Sequence, residues 1–421
     1  MTEPNGINRL NRRDFVKAGL VFGAGASALA AGYAAVPDAF ARAIYALKRA
    51  GGRSDAVLVM IQLAGGNDGL RTVIPLRNSV LHDLRPQLAA ASIAKALPMN
   101  NDFGLNHNLP RIAKLWDRGK VAVVEGVGYP QPSLSHFESI RVWETGDPSR
   151  RQVNGWLGRT ISRAYDSYGH PLTGCGCGVS GTPGSLKDVN STVAVIESQQ
   201  GFGFVDDDLA ATVGAVYHKT PGLYGALFDT AVATVHQTVA ELKRVPAVKE
   251  GDPTPSYSKD ANNQLAAALK LGAQLIIAGT GVRLLHVTLD GFDTHQTELA
   301  AHDTLMTYLD EAVGGFYDEL SKQGRASNVV IATWSEFGRR PEENSSTGTD
   351  HGTAAPLILI GDPVAKGVYG QTPDLKRLDD DGNIKYTVDF RSVYQEILDT
   401  HLGVDAKEIL GSRFDRIPFL L

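Results

Sequence analysis

The stretch "SNVVIATWSEFGRRPEENSSTGTDHG", Ser327 to Gly352, joins a core element to chemistry. Asn328 to Trp334 is apolar and β-branched, the composition of a buried strand. It breaks at Ser335-Glu336 and runs on to Thr349-Asp350-His351-Gly352. A strand made for the interior therefore delivers a carboxylate at its C-terminal end and, about fifteen residues later, a histidine.

Other segments repeat the design. "AVLVMIQL" (Ala56–Leu63) is apolar throughout and stops at Gly65-Gly66, followed by Asn67-Asp68-Gly69. "RLLHVTLD" (Arg283–Asp290) runs into "GFDTH", with Asp293 and His295. "KVAVVEGVG" (Lys120–Gly128) follows a helical pattern at Asn108–Gly119 and leads to "SLSHFES" (Ser133–Ser139). There Ser135 and Glu138 have the spacing of a capping box at a helix start. Short strands are expected near Gly176–Ser180 and Thr192–Ile196. Helices are expected over Leu223–Val245, Ala261–Gly281, Glu298–Gln323 and Arg391–Leu402, with a linker at Lys249–Asp260 and a strand at Pro356–Gly361. Strands that alternate with helices argue for an α/β fold, a doubly wound and mostly parallel sheet with helices on both faces. Ligands of such folds gather at the C-terminal edges of the strands.

The candidate site is drawn from those edges. Asp68, Asp293, His295, Glu336 and His351 are the ligand types of a divalent metal ion such as zinc, manganese or calcium, and could hold one or two. Ser133 or Ser135 at a helix N-terminus could supply a nucleophile, with His136 as a ligand or a brace. Arg71, Arg339 and Arg340 could clamp a tetrahedral anion. Plainer readings stand beside each of these. Asn67-Asp68-Gly69 fits a turn, Asp293-Thr294-His295 a helix cap, Glu336 an ion pair with Arg339 or Arg340, and Ser135 simple capping.

The chain has 421 residues, 43% of them hydrophobic, ample for one large domain or two smaller ones. A net charge of −5 offers no basic surface for nucleic acid. Arg12-Arg13, a Gly/Ala-rich stretch and Ala39-Phe40-Ala41 read as a twin-arginine export signal over residues 1–41. This predicts passage through the twin-arginine translocase, a periplasmic or secreted product spanning 42–421 as a single domain, and no stable membrane anchor. Cys175 and Cys177 sit too close for an unstrained disulfide and read as small buried residues, with a two-ligand metal site as the alternative.

The leader, "GGNDGL", "SLSHFES", "GFDTH" and "SEFGRR…GTDHG", in that order, resemble the exported bacterial proteins of domain-of-unknown-function family 1501. That family is similar to the alkaline phosphatase/sulfatase superfamily. The resemblance implies an alkaline phosphatase-like sandwich, with a metal centre at the strand ends acting on a small phosphate, sulfate or related ester. It carries Asp68, Asp293, His295 and His351 over as ligands and the Ser133–Ser135 stretch as nucleophile. Two departures are visible: Asp293 and His295 are closer together than the usual Asp-x-x-x-His, and Glu336-Phe337 stands where many superfamily members have Asp-His. That position loses a ligand, so His136, His107 or His302 compensates, a single metal suffices, or the scaffold has become a non-catalytic binding or accessory protein.

Overall fold

A computed structural model describes residues 55–165, 170–197, 235–243, 245 and 257–421. The leader over 1–41, most of the Leu223–Val245 helix and most of the Lys249–Asp260 linker lie outside the described residues.

Among the described residues fourteen strands follow one another: β1 Val57–Ala64, β2 Val73–Pro75, β3 Leu97–Pro98, β4 Phe103–Leu105, β5 Val121–Gly128, β6 Gly174–Cys177, β7 Ala194–Ile196, β8 Leu284–Asp290, β9 Val329–Trp334, β10 Arg339–Glu343, β11 Thr349–His351, β12 Ala355–Ile360, β13 Gly367–Tyr369 and β14 Val388–Asp389. Nine of them form the central sheet, in the order β13-β5-β12-β9-β1-β8-β6-β7, with β14 also paired to β5. β1 is parallel to both β8 and β9, and β12 runs antiparallel between β9 and β5. The sheet is thus mostly parallel, as its apolar strands predict.

The side chains of β1 alternate between two cores. Val57, Val59, Ile61 and Leu63 pack with residues of the helices Pro110–Asp117, Gln264–Ile277 and Glu298–Lys322. Ala56, Leu58 and Met60 pack with residues of His136–Thr145, Trp156–Ala164 and Phe390–Glu396. Helices therefore cover both faces, the α/β/α layering that continuous apolar strands require. Full burial of a large apolar side chain stabilises by roughly 1.5–3 kcal/mol, so both faces contribute.

Register places the site. Ala64 lies beside Asp290, and Gln62 beside Trp334. The segments after β1, β8 and β9 therefore leave the sheet at one edge. Two glycines permit the crowding there. Gly65 has φ +116°, and a Cβ on it would fall 2.4 Å from Asp293 N. Gly66 has φ +79°, and its Cβ would fall 2.4 Å from the Phe337 ring.

The run from Arg339 to His351 folds back as a hairpin of β10 and β11, with Arg339 opposite His351. That pairing brings His351 back to the edge from which the chain departed. No described helix is long and apolar enough to cross a membrane.

Candidate metal centre

Four side chains from three connections meet at this edge. Asp293 and His295 follow β8, His351 ends β11, and His136 opens the His136–Thr145 helix. Ligand atoms of His136, Asp293 and His351 lie within 4.8 Å of one another. His295 Nε2 and His351 Nε2 are each 3.0 Å from Asp293 Oδ1 and 3.0 Å from each other. His136 Nε2 is 3.5 Å from Asp293 Oδ2.

The opposite ring nitrogens decide what these atoms can do. His351 Nδ1 donates to the Leu134 carbonyl at 2.8 Å. His136 Nδ1 donates to Glu336 Oε1 at 2.8 Å, and the same oxygen accepts the Gly65 N–H at 2.8 Å. His295 Nδ1 faces Asp350 Oδ1 at 3.3 Å. With Nδ1 protonated, each neutral imidazole presents a bare lone pair at Nε2. Those lone pairs point at one another and at a carboxylate. Such a triangle repels itself unless positive charge sits within it. Imidazoles held through Nδ1 with Nε2 converging are the arrangement of histidine metal ligands. Donor atoms about 2.0–2.1 Å from a tetrahedral zinc lie roughly 3.3 Å apart, close to the spacing observed. The residues fit a divalent ion.

Asp293 has a protein cation as well. Burial raises its carboxyl, but the hydrogen bond from Arg339 and the charge of that guanidinium are chief among the effects that outweigh burial and hold it at about 2. Arg339 Nη2 is 2.7 Å from Asp293 Oδ1. Its other donors go to the carbonyls of Gly66 at 2.7 Å and Thr349 at 2.8 Å, and to those of Gly65 and Phe292. Arg339 is fully buried and spent, so it braces Asp293 and does not clamp an anion. Arg71 is likewise committed: Ser92 Oγ, the Glu298 carbonyl and Asp303 take its donors. Arg340 alone of the three keeps a donor, Nε, without a partner.

Asp68 lies apart from the histidine cluster. Its Oδ2 is 2.6 Å from Arg85 Nη1, and its Oδ1 accepts the Leu70 N–H at 3.1 Å. It caps the short Gly69–Thr72 helix, where the plainer expectation was a turn. Around it lie Glu298, His302 and Arg71, all buried. Arg85 gives this carboxylate its cation, so Asp68 belongs to a core network and not to the histidine cluster. His302 also lies there, 3.1 Å from Asn67 Oδ1, and His107 faces Asp303. Of the three histidines able to compensate for Phe337, His136 is the one brought in.

Glu336 is fully buried and holds His136 instead of reaching the cluster's centre. It does not pair with Arg339 or Arg340. Phe337 packs at a tilt against the cluster, its ring centre 4.9 Å from that of His136 and 4.6 Å from that of His351. Phe337 is thus an apolar wall packing two of the imidazoles.

The serines separate. Ser133 Oγ accepts the Ser135 N–H at 3.2 Å. Ser135 is the N-cap residue of the His136–Thr145 helix, yet its hydroxyl makes no capping bond, and Glu138 pairs with Arg150. The capping box is therefore absent, and Ser135 carries an exposed, uncommitted hydroxyl one residue from His136. Asp350 and the Leu134 carbonyl were missed as members of the site. Asp350 stood in plain view beside His351; a backbone oxygen leaves no mark in a sequence.

Fold and site together define a doubly wound α/β protein with a histidine–carboxylate centre at the strand ends. The chain belongs to the family described as protein of unknown function (DUF1501), which matches residues 122–416. Several solved structures are distantly similar. The sulfatase PsFucS1 from Pseudoalteromonas sp. has 12% identity and a TM-score of 0.39, over 92% of this chain and 77% of that one. A protein in the alkaline phosphatase superfamily from Vibrio parahaemolyticus has 10% identity and a TM-score of 0.36, over 76% and 64%. The C-terminal periplasmic domain of EcEptC from Escherichia coli, in complex with zinc, has 9% identity and a TM-score of 0.38, over 74% of each. No curated protein matches the chain.

Proposed function

We propose that this protein is an exported, metal-dependent hydrolase or transferase acting on a phosphate, sulfate or related ester. One observation carries the reading: His136, His295 and His351 each have Nδ1 held by an acceptor, with Nε2 turned toward Asp293. Those four residues would hold one ion. Asp68 and Glu298 would not hold a second, because Arg85 and Arg71 already occupy the network around them. When bound, a divalent ion polarises an ester oxygen and favours ionisation of a nearby hydroxyl.

The chain's own residues supply the rest. Ser135 Oγ is the nucleophile. It lies at the positive end of a helix, where an incoming anion is favoured. Arg339 keeps Asp293 ionised, and Glu336, Asp350 and the Leu134 carbonyl hold the three imidazoles in one tautomer. Phe337 shields two of the rings from water.

The test is elemental analysis of the purified protein, followed by assays on aryl phosphate, phosphodiester and aryl sulfate esters. About one zinc, manganese or calcium per chain and turnover that Ser135→Ala abolishes are the expected results. Because Ser135 makes no capping bond, that variant should keep its stability to within about 0.5 kcal/mol, whereas loss of a working cap typically costs ~1 kcal/mol. Absence of any bound or bindable metal would remove the reading.

A second reading has its own support. Phe337 occupies a ligand position, and Asp68 is withdrawn into the core. A protein that binds a metal but has lost turnover would show stoichiometric metal and no activity on the same panel. Export itself is tested by Arg12→Lys with Arg13→Lys, which should leave the precursor in the cytoplasm.

A further inference from the structure

The protein has a cavity of ≈ 770 Å³, within the size range of small-molecule sites. Pro130 and Gln131 form part of its wall. They belong to the same connection that, a few residues on, carries Ser133, Ser135 and His136. One loop thus serves the histidine cluster and bounds the cavity.

The cavity is lined by Arg151, Arg159, Arg163 and Arg391 against two carboxylates, Asp147 and Glu408. The Asp147 charge is directed into its own loop. Its Oδ1 accepts the Ser149 N–H at 2.9 Å and the Ser149 hydroxyl, and its Oδ2 accepts the N–H groups of Arg151 at 3.0 Å and Gln152 at 2.8 Å. These bonds fix the wall and use up the acid. Arg391 is matched by Asp389 through two bonds, at 2.9 and 2.6 Å. Arg159 is buried and donates to the carbonyls of Ile409 at 3.0 Å, Thr145 at 2.9 Å and Asn154. Burial and then the nearby Arg163 charge push its guanidinium down to about 10.

Arg151 and Arg163 differ from these two. Both are exposed, and neither has a carboxylate partner among the described residues. Arg151 Nε reaches the Ser149 hydroxyl at 3.1 Å, and Arg163 Nη1 reaches the Glu408 carbonyl. Each keeps donors free beside other like charges. Guanidinium forks match tetrahedral and planar oxyanions, and an anion among like charges relieves their repulsion.

We infer that this cavity is a second anion-binding site, separate from the histidine centre, for a hydroxyl-rich molecule bearing phosphate or sulfate groups. Gln131, Gln152, Ser149 and Ser412 also line it and can bond hydroxyls. The site extends the proposed hydrolase reading without depending on it, since a protein without turnover could use it equally.

Calorimetry on the full-length folded protein tests this with myo-inositol hexakisphosphate, sucrose octasulfate and uncharged maltotriose. At least one charged probe should bind, more weakly as salt rises, and maltotriose should not. The double variant Arg151→Gln with Arg163→Gln should weaken that binding at least tenfold while metal content stays at the wild-type value. Asp293→Ala should leave it within twofold. The relative affinities of the two charged probes distinguish phosphate from sulfate. Three results each overturn the inference: no binding of either charged probe, equal binding by the double variant, or loss of binding in Asp293→Ala. The last would place the anion on the histidine centre, a result that leaves the metal reading intact.

Discussion

Two clusters of aspartate, glutamate, histidine and arginine lie at the same end of the sheet, and they behave in opposite ways. In the core cluster, Asp68, Glu298, His302, Arg71 and Arg85 are all buried. Arg85 holds Asp68 down against the effect of burial, and Asp303 pairs with Arg71. Burial and the Asp68 charge push Glu298 the other way, so the two carboxyls do not ionise together. In the edge cluster, Asp293 and His295 are about half exposed, and His136 and His351 are partly so. Their outward nitrogens have been left bare by acceptors behind them. Residue types do not separate the clusters. A metal site needs unshared lone pairs facing a point that solvent can reach; a buried network of the same residues is a piece of the core.

The largest expected effect separates them outright. Asp293→Ala removes the carboxylate shared by the imidazoles, and metal content should fall from about one ion per chain to background in elemental analysis. Thermal stability of the metal-free protein should fall as well, because the buried Arg339 loses its carboxylate partner among the described residues. If Asp293→Ala keeps its metal, the contrast drawn above fails.

Arg85→Ala addresses the core cluster. It strands a buried Asp68 and also removes bonds to the Pro341 and Arg340 carbonyls that tie the hairpin down. Breaking one partner of a buried ion pair costs about 3–5 kcal/mol, readable by denaturant unfolding. Metal stoichiometry at saturating ion should hold, and its loss would show that the two clusters are one site.

Asp350→Asn sharpens the edge cluster. The amide is a poorer acceptor for His295 Nδ1, and removal of such a brace typically costs about 10–100-fold in metal affinity. Titration against a chelating dye would read it. An unchanged affinity would mean that His295 lies outside the ligand set.

A further test concerns pH. Glu125 on β5 is buried, its Oε1 lacks a partner, and burial raises its carboxyl to about 8. The native state thus keeps a proton that the unfolded chain releases near 4.3. The sign follows: stability is highest below that pH and declines as pH rises toward about 8, levelling beyond. Glu125→Gln should flatten unfolding free energy across that window and leave metal content alone. A wild-type profile unaffected by the substitution would show that Glu125 ionises freely.

Most of the fold was legible because its elements announce themselves locally. Val329–Trp334, Val57–Ala64 and Leu284–Asp290 are apolar on both faces, which only a covered central strand tolerates. Glu298–Lys322 and Gln264–Ile277 fell where expected, to within a few residues. The β10–β11 hairpin was read as a loop, since Arg339–Glu343 is charged and its pairing with Thr349–His351 depends on contacts beyond either strand. Ser135–Glu138 matched a capping pattern that the structure does not use, because Arg150 takes Glu138 and leaves the hydroxyl free.

The sequence by itself determined the sheet, the edge at which chemistry collects, and the residues that arrive there: a carboxylate or histidine after β1, β8 and β9, and a serine before the His136–Thr145 helix. Those features are written in short segments whose period and punctuation can be read without a partner. Only the tertiary structure decided which arrivals meet. Asp68 and Asp293 both follow a parallel strand of the sheet, yet Arg85 turns the first inward and Arg339 steadies the second at the surface. His136 became a candidate ligand because Glu336, two hundred residues away, accepts from its Nδ1. The physical reason is that a side chain's role is set by which of its atoms already have partners, and those partners come from distant parts of the chain.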